Sequence, residues 1–530
     1  MSSSNIFVVA IDFGTTYSGY AFSSISRKEQ VFTYSWNEGN SYSPKTLTSI
    51  LFTPDKNFDS FGKDAEEKYA RLSQIGENRH WHFFKRFKLT LYKNNNLNEK
   101  TMIPDFTGRQ MLAIEVFSGG IRYLKDHLFT HFKSRIEHLR EGDIHWVLTI
   151  PAIWDETAKK FMRSCTEKAG IPGKQLTLAL EPESAVLYCQ LGMQRSGLSP
   201  IQSGQKFLLL DCGGGTVDVT VHEVLWDMSF KEIHRASGGP WGKFIGIVWF
   251  RVDRFVVKSD VIELETNFEL LKKRVDTTNK IYTIQLPLGL RQHDMLVAGK
   301  LRLDSTIVTS FFDKPVTNIC NHIQEILSSL RCHDISTIIL VGGFSESKIL
   351  QEKLQSKFTH MRILTPKNPA SAVVEGAVEF GQCPEKIRFR MSPYTYGVSI
   401  SKEFLPMKHS HRKRIEINGK MYCEGIFDVH VIQDQLVETG TTISNETYSP
   451  IDPKQNSIPI SLAISESSNP IFVDDPGNRV IGSFNIQIPN EESGCNRNVE
   501  VKMIFTGTEL KVEARNGHTM KSYASSFRFH

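Results

Sequence analysis

The sequence lacks an uninterrupted apolar stretch long enough to cross a membrane. Its longest run, at 244–250, is about seven residues before Arg251 interrupts it, whereas a spanning helix needs roughly 20. The N-terminal segment MSSSNIFVVAIDFGTT has no basic region before its short apolar run, which ends at Asp12. This pattern predicts a first β-strand rather than a secretory signal peptide, and we predict no membrane span.

The cysteines also lack the spacing of a metal framework. The eight cysteines include no C-x-x-C pair and no Cys/His group with zinc-like spacing, which argues against such a framework. Scattered thiols that stay reduced are typical of a cytosolic protein, so we expect a cytoplasmic location.

Charge of one sign is not in large excess. The formal net charge is +5 on 530 residues, and Lys and Arg are scattered, so nucleic acid is not an expected partner. One local exception is the stretch KHSHRKR at 408–414. It fits a nuclear signal or an anion patch, but a solvated loop between strands is the simpler interpretation, and no role is assigned to it.

What is present is enough apolar sequence for more than one folded domain. Hydrophobic residues make up 40% of the chain and charged residues 23%, close to average globular usage. Strand and helix patterns are mixed over 5–385, which predicts an α/β domain. From 386 to 530, short β-rich segments alternate with Asn, Pro, Gly and Asp turns, which predicts a smaller domain with an antiparallel sandwich or layered sheet.

Three segments share one pattern, in which a buried strand leads into a tight turn with an acidic residue or glycines. They are IFVVAIDFGTTYSGYAF at 6–22, FLLLDCGGGTVDVTVHEV at 207–224 and TIILVGGFSESKILQEKL at 337–354. Apolar/polar alternation resumes after the first two turns, which predicts hairpins and an internal duplication. After the third turn, Ser345 is predicted to cap a helix. Other helices are predicted at 155–169, 181–191 and 368–380.

The first two turns carry residues suited to a nucleotide. Asp12 stands at a strand end and is followed by a glycine, two hydroxyls and backbone N–H groups that can surround a phosphate. Asp211 opens the same arrangement with three glycines, which remove every Cβ where the backbone would approach phosphate oxygens. Such a carboxylate can hold a hydrated Mg²⁺. One loop alone could be a plain Gly-rich hairpin, but two similar loops favour one shared nucleotide cleft.

Further candidates are weaker. Gly342-Gly343 follows a buried strand and precedes a helix, so its backbone can approach a nucleotide. Gly238-Gly239 is a similar candidate, although a plain turn explains it equally well. Lys85 lies in the aromatic segment WHFFKRFK at 81–88, where an ammonium group suits a phosphate or carboxylate. The alternative for Lys85 is a basic surface helix whose lysine stems cover the aromatic rings.

These residues support a named resemblance. DFGTTYSG, TIPAIWDETAKKFMR, EPESAV, LLLDCGGGTVDV and VGGFSES stand in the order found in the heat shock 70 kDa protein family, which the chain resembles over roughly 5–385. The segments ASGGPWG, EPESA and FTGTELKVEA are more similar to its divergent 12A/12B branch. The resemblance implies an actin-like ATPase fold, with a duplicated-lobe nucleotide-binding domain at 5–385 and a β-rich, lidless relative of a substrate-binding domain at 386–530.

The same resemblance implies residue roles. Lys85 would contact the γ-phosphate and orient the attacking water, while Asp12, Glu181 and Asp211 would organise Mg²⁺ and its waters, with Asp12 and Asp211 contacting the metal through water. The implied catalytic residues are Lys85, Glu181, Asp211 and Thr216. The implied nucleotide-binding residues are Asp12, Gly14, Thr15, Thr16, Tyr17, Gly213, Gly214, Gly215, Thr216, Gly238, Gly239, Glu269, Lys272, Lys273, Gly342, Gly343 and Phe344. ATP or ADP and Mg²⁺ are the expected cofactors.

The chain also departs from the family pattern. Lys159 replaces an arginine, Phe344 and Glu346 replace residues that pack on adenine, and the sequence after Gly242 lacks the expected continuation. We therefore expect a chaperone-related, stress-response protein that binds Mg-ATP, hydrolyses it slowly and interacts with protein clients. The alternative is a non-hydrolysing ATP-binding scaffold or regulatory adaptor. A small-molecule kinase of the same superfamily is disfavoured because no aspartate base beside an acceptor-sugar pocket stands out.

Overall fold

The architecture comes from a computed structural model of the 530-residue chain. The structure describes residues 6–37, 42–92, 94, 97–133, 140–195, 201–242, 258–272, 274–276, 281–286, 296–297, 300–488, 494–506, 508–517 and 522–526. The chain forms two compact units: the first is Met1–Val224 with Ala236–Pro384, and the second is Leu225–Arg235 with Glu385–His530. The functional division into domains at 5–385 and 386–530 stays a prediction.

The secondary structure is mixed in the first unit and consists mainly of strands in the second. The helices are α1 (Lys63–Gln74), α2 (Ala113–Lys133), α3 (Glu156–Lys168), α4 (Glu181–Arg195), α5 (Lys258–Lys272), α6 (Ser305–Leu327), α7 (Lys348–Lys357) and α8 (Ala372–Gln382). The strands are β1 (Phe7–Phe13), β2 (Tyr17–Ser24), β3 (Phe32–Thr33), β4 (Trp36–Asn37), β5 (Tyr42–Ser43), β6 (Thr46–Leu47), β7 (Ser49–Phe52), β8 (Phe58–Phe61), β9 (His82–Lys85), β10 (Met102–Pro104), β11 (Gln110–Leu112), β12 (Ile144–Ile150), β13 (Leu176–Leu180), β14 (Lys206–Cys212), β15 (Val217–Val224), β16 (Phe230–Gly239), β17 (Ile281–Gln285), β18 (Leu296–Val297), β19 (Lys300–Asp304), β20 (Thr337–Val341), β21 (Arg362–Leu364), β22 (Ile387–Met391), β23 (Thr395–Glu403), β24 (Arg414–Ile417), β25 (Lys420–Val431), β26 (Leu436–Glu438), β27 (Thr442–Tyr448), β28 (Ser457–Ser465), β29 (Asn478–Gln487), β30 (Val499–Thr506), β31 (Glu509–Asn516) and β32 (Ser522–Ser526).

The first unit contains the same strand arrangement twice. In one sheet, β1 pairs in parallel with β12 and antiparallel with β2, and β12 pairs in parallel with β13. In another, β14 pairs in parallel with β20 and antiparallel with β15, and β20 pairs in parallel with β21. Both predicted hairpins are confirmed. β1 and β14 read as nearly continuous apolar runs because strands flanked on both sides are buried on both faces.

The first sheet is fixed by a large apolar core. Side chains of β1 and β12 pack with those of α2 and α3 in one buried cluster, which includes Phe13, Phe117 and Phe161. Phe13 and Phe117 have ring centroids 5.9 Å apart, a favourable separation for an aromatic pair. This core holds the end of β1, where Asp12 stands, in a rigid position.

The predicted helices are present, with two corrections. α3 lies within the predicted 155–169 segment and is capped by the Asp155 side chain, which accepts from the Ala158 N–H; α4 begins at Glu181 as predicted. The helix predicted to begin at Asn368 begins at Ala372 instead. The prediction that Ser345 caps α7 was wrong, because a 3-10 turn at Gly343–Glu346 intervenes and the Ser345 hydroxyl donates to the Gly342 carbonyl.

The second unit contains an antiparallel β-sandwich, as predicted. One sheet has the order β24-β25-β23-β28-β29 and the other β27-β30-β31-β32, and their strands pair antiparallel. A buried cluster that includes Val398, Leu462, Val501 and Val512 joins side chains from both sheets. Alternate residues of β31 are buried, which is the pattern of a strand with one face on the core.

Within the described residues, no helix combines the length and apolar character that a bilayer crossing requires. The eight cysteines are free thiols. The cytoplasmic location stays a prediction.

Candidate functional site

A cavity in the first unit lies where the turns of both hairpins meet. The cavity is open to solvent, and its empty space together with its mouth is about 950 Å³. Its lining residues are Asp12, Gly14, Thr15, Thr16, Tyr17, Ser43, Pro44, Lys45, Lys88, Glu181, Asp211, Gly213, Gly214, Gly215, Thr216, Gly342, Gly343, Phe344, Glu346, Ala370 and Val373. The structure thus brings together both Gly-rich turns and the third turn after β20.

The two Gly-rich turns touch each other. A Cβ on Gly214 would lie 2.1 Å from the Thr16 hydroxyl oxygen, and one on Gly215 would lie 3.0 Å from the methyl group of Thr15. A side chain at 214 would therefore collide with the opposite turn, and one at 215 would be crowded by that turn and by Leu89, which lies 2.8 Å from the Cβ position. Within the second turn, the Gly213 N–H donates to the Thr216 carbonyl at 2.9 Å. The result is a narrow backbone cradle of the kind that can surround phosphate oxygens.

The third turn closely approaches the end of strand β14. Gly342 has φ +83°, and a Cβ there would lie 2.5 Å from the Cys212 carbonyl oxygen and 2.6 Å from Asp211 Oδ1. Its N–H donates to the Pro369 carbonyl at 2.9 Å. The segment before α8 is therefore used to hold this glycine, which accounts for the late start of that helix.

Asp12 is buried and paired at the end of β1. Its Oδ1 accepts from the Thr149 hydroxyl at 2.9 Å, and its Oδ2 accepts from the Lys45 ammonium at 2.5 Å. Burial alone raises the pKa of Asp12, but the charges of Lys45 and Lys88 and these two hydrogen bonds outweigh it, so the pKa is lowered overall. Asp12 is thus held as a carboxylate.

Lys45 was not predicted. It follows β5, and its ammonium lies in the cavity wall on Asp12. The local sequence SYSPKTL carries no phosphate-loop signal, and only the pairing of β6 with β2 brings this segment beside the first turn. No local sequence pattern therefore identifies Lys45 as a site residue.

Lys88 is the buried lysine that faces the carboxylates. Its ammonium donates to Glu181 Oε1 at 2.8 Å and lies 5.1 Å from the Trp154 ring centroid. Despite this pair, burial and the nearby negative charge of Asp12 leave the pKa of Glu181 raised. Lys88 therefore supplies a fixed positive charge beside a carboxyl group that protons or cations can still bind.

Asp211 and Asp218 face each other across the second hairpin. Burial, followed by the negative charges of Glu181, Asp218 and Asp12, raises the pKa of Asp211 well above its usual range. Burial and Glu181 raise the pKa of Asp218 to about 7, while its Oδ1 accepts from the Ile153 N–H at 3.2 Å. Asp218 lies in the motif LLLDCGGGTVDV but has no role in the sequence prediction, because the apolar/polar alternation of β15 indicates an exposed position. In the structure it is buried like its neighbours.

The placement of Lys85 departs from the sequence prediction. Its ammonium lies 3.1 Å from Glu66 Oε1 and 3.2 Å from Glu265 Oε2, and it does not belong to the cavity lining. The reason is the left-handed backbone at Arg86, with φ 58°, followed by the 3-10 turn Phe87–Leu91. This turn redirects the chain, so the lysine three residues later reaches the cavity instead.

Helix α5, which carries the implied nucleotide-binding residues Glu269 and Lys272, takes part in an ion-pair network. Arg86 Nη1 donates to Glu265 Oε1 at 3.1 Å, and Lys272 donates to Glu269 Oε1 at 2.8 Å. Neither Glu269 nor Lys272 lines the cavity, and Lys273 lies outside the described residues. Their proposed nucleotide contacts stay predictions.

The remaining predicted residues divide between the cavity and its surroundings. Thr216, Gly343 and Phe344 line the cavity, and the Phe344 ring stacks on Phe312 with centroids 6.3 Å apart. Gly238, with φ +149°, packs against the Val217 carbonyl and lies outside the lining, as does Gly239. The unusual sequence at 243–257 lies outside the described residues.

The residues of the cavity fit a hydrated divalent cation beside phosphate groups. In the described part of the chain, no group of three or more His, Cys, Asp or Glu side chains is arranged as a direct metal site. Mg²⁺ commonly keeps several waters and few protein ligands. The crowded negative charge at Asp211 and Asp218 would be relieved by a nearby cation, and the glycine cradle leaves space for phosphate oxygens.

Comparison with known proteins finds relatives that match nearly the whole chain. No protein-family model matches the chain. It is 30% identical to Heat shock 70 kDa protein 12B of Homo sapiens, over 98% of this chain and 91% of that protein. It is 29% identical to Heat shock 70 kDa protein 12A of Homo sapiens, over 97% of this chain and 90% of that protein. It is 24% identical to Chaperone protein DnaK of Mycoplasmopsis agalactiae, over 52% of this chain and 47% of that protein.

Proposed function

Because this chain belongs to the heat shock 70 kDa protein family, in its 12A/12B-like branch, we propose that it binds Mg-ATP between two actin-like lobes and hydrolyses it slowly. The observation that carries the proposal is the meeting of two Gly-rich turns around one cavity, with Asp12 at one strand end and Asp211 at the other. The mixed α/β architecture and the repeated sheet topology fit an actin-like ATPase fold.

The chain's own residues can perform the positioning that phosphoryl transfer needs. Backbone N–H groups and hydroxyls of Thr15, Thr16 and Thr216 would hold phosphate oxygens, since they line the cavity. Lys88, fixed by Glu181 and Trp154, would place positive charge where negative charge grows on the transferred phosphoryl group. We therefore assign to Lys88 the role that the sequence suggested for Lys85.

Asp12 and Asp211 are the residues that would hold Mg²⁺ through water. The metal would neutralise phosphate charge. Asp12 is held as a carboxylate, with Thr149 on Oδ1 and Lys45 on Oδ2. A metal-bound water would therefore have to share or displace the Lys45 ammonium. Burial and the negative charges of its neighbours raise the pKa of Asp211, so it would lose its proton more readily beside a cation.

A second candidate function is a non-hydrolysing ATP-dependent scaffold. The observation that favours it is the ion pair between Lys45 and Asp12 at 2.5 Å. An internal ammonium on this carboxylate competes with a hydrated cation for the same negative charge. If the pair persists with nucleotide bound, ATP would act as a structural ligand or switch rather than as a substrate.

Protein clients or regulatory proteins are the proposed partners, and the cytoplasm is the proposed location. The relative named Chaperone protein DnaK supports the first proposal. The β-sandwich of the second unit is the proposed client-binding domain, as the family resemblance suggests.

The test is calorimetric binding of Mg-ATP together with single-turnover hydrolysis by the full chain. Asp211→Asn removes one carboxylate from the cavity at nearly constant shape. Asp334→Asn is the matched control, because Asp334 is half exposed and pairs with Lys206 away from the cavity. We expect the native chain and the control to bind and turn over, and the Asp211 variant to lose turnover by about 10²-fold or more.

The outcomes separate the two candidates. Binding with turnover that depends on Asp211 supports a slow ATPase. Binding without turnover in native protein supports the scaffold. Absence of Mg-ATP binding by the native chain would overturn both.

A further inference from the structure

An exposed loop in the second unit combines apolar and cationic side chains. This basic loop, defined as 404–414, joins β23 to β24. Between Phe404 and Arg414 it contains four Lys or Arg residues and no Asp or Glu. Met407 is 97% exposed and Leu405 is 46% exposed. The loop therefore presents exposed apolar surface and positive charge side by side, the two features of a segment that binds a membrane interface.

The loop has a defined conformation that presents these side chains outward. The Leu405 N–H donates to His409 Nδ1 at 3.0 Å, and the Lys408 and His409 N–H groups donate to the Leu405 carbonyl at 3.0 and 2.9 Å. Ser410 accepts from the Arg412 N–H and begins a 3-10 turn. Backbone hydrogen bonds therefore fix a tight turn around Met407 and keep its side chain from folding back onto the sandwich.

The base of the loop is anchored to the sheet. Phe404 is buried, its N–H donates to the Met421 carbonyl at 2.9 Å, and its ring contacts the rings of His409 and His411. The Lys413 ammonium pairs with Asp474. Below the exposed tip, aromatic contacts and an ion pair thus hold the loop on β25 and on the segment that carries Asp474.

The cations nearest the apolar tip remain available. Lys408 and Arg412 are exposed and form no ion pair with any described residue. Arg414 is also exposed, with its guanidinium 6.0 Å from the Phe404 ring centroid. A tip with two apolar side chains and adjacent unpaired cations matches the interface of a bilayer, where apolar groups enter the headgroup boundary and cations meet lipid phosphates.

We propose that the basic loop docks this protein peripherally on an anionic phospholipid surface, with Leu405 and Met407 inserted and Lys408 and Arg412 at the headgroups. A nucleic acid would satisfy the cations but offers no apolar volume for the projecting methionine, and a protein partner would need an apolar pocket placed beside its acidic groups. A bilayer interface offers both features without such a match, which is why it is favoured. The proposal is independent of nucleotide binding and replaces the solvated-loop interpretation of the 408–414 stretch.

The test is co-sedimentation of the full chain with vesicles of phosphatidylcholine alone or with about one quarter phosphatidylserine. We expect binding to the mixed vesicles that weakens as salt is raised, because surface charges are screened. Lys408→Glu/Arg412→Glu is expected to reduce binding at least about tenfold. Met407→Ser is expected to reduce it about three- to tenfold while the salt dependence remains.

Two matched controls keep the result specific. Lys174→Glu/Lys300→Glu makes the same change in net charge at exposed sites of the first unit. Leu330→Ser removes an apolar side chain that is 90% exposed, close to the exposure of Met407. Native-like thermal melts of each variant establish that the fold is retained.

Full binding by both controls and weakened binding by both loop variants would support the proposal. It would be overturned by equal binding to phosphatidylcholine alone, by no vesicle binding, or by loop variants that bind like their controls. Retention of the native chain on an acidic polymer such as heparin, without vesicle binding, would assign the loop to a polyanion and would also overturn it.

Discussion

Replacing Lys88 by methionine is expected to abolish ATP turnover, whereas the same change at Lys85 is not. Methionine keeps much of the apolar stem and removes only the charge. The Lys88 ammonium lies 2.8 Å from Glu181 Oε1, and both groups are largely buried. Lys85 has a comparable exposure, but it pairs with Glu66 and Glu265 outside the cavity lining.

The magnitude follows from the environment of the pair. Two unit charges at this separation attract by about 6 kcal/mol at an effective dielectric constant near 20. Desolvation offsets much of that energy, yet removal of one partner from a buried pair commonly destabilises a protein by about 3–5 kcal/mol. Since the pKa of Glu181 is already raised by burial, protonation of the orphaned carboxyl should hold the loss near about 3 kcal/mol. Turnover should fall by about 10²–10³-fold.

A double variant separates stability from catalysis. Lys88→Met/Glu181→Gln removes both charges, so much of the lost unfolding free energy should return, while turnover should stay as low as in the single variant. Chemical denaturation measures the first quantity. Single-turnover hydrolysis with Mg²⁺ measures the second, and Lys85→Met should remain within about threefold of the native rate.

The reasoning about this site would be refuted if Lys85→Met lost turnover and Lys88→Met retained it. That result would mean that the 3-10 turn after Arg86 rearranges when nucleotide binds. Equal loss in both variants would equally contradict the separate roles assigned to the two lysines.

Other expectations follow from single contacts. Gly342→Ala should lower the free energy of unfolding by about 2 kcal/mol or more, because residue 342 has a positive φ and a Cβ there would make short contacts. Gly343→Ala is the control: a Cβ at 343 meets open space, so this variant should be nearly neutral in the same denaturation assay. Glu265→Gln weakens the ion pairs of this residue with Lys85 and Arg86 and should speed release of a fluorescent nucleotide about three- to tenfold. An unchanged release rate would show that these ion pairs do not help to retain the nucleotide. Burial lowers the pKa of His430 to about 4, so the unfolded chain binds a proton at this histidine more readily than the folded chain does. The free energy of unfolding should therefore fall as the pH drops from about 6.5 towards 4, by about 2 kcal/mol near pH 5. In thermal melts, His430→Gln should flatten this pH dependence.

Much of the architecture could be predicted because local patterns were strong. Continuous apolar runs predicted β1 and β14, alternation predicted β2 and β15, and Asp155 marked the start of α3. The short β-rich segments after residue 386 predicted an antiparallel sandwich or a layered sheet, and the structure has the sandwich. Each of these signals is a short-range property, so a stretch of about ten residues was enough to reveal it.

The contacts around the second and third turns of the site could not be predicted from such local patterns. The glycines at 213–215 were recognisable as a run in the sequence, but only the structure shows that a Cβ on Gly214 would collide with the Thr16 side chain of the opposite turn. The start of α8 was misplaced because the segment around Pro369 makes a tertiary hydrogen bond to Gly342 instead of a first helical turn.

The sequence by itself indicated most of the helices and strands, the two Gly-rich turns and the family. Only the tertiary structure decided which charged side chains meet in the cavity. The sequence pointed to Lys85 and not to Lys88. A left-handed residue between them directs Lys85 to an ion-pair network and Lys88 to Glu181. Lys45 reaches Asp12 from a segment with no motif at all. Side-chain direction after an irregular turn, and contacts between distant segments, depend on the packed fold, which no local pattern encodes.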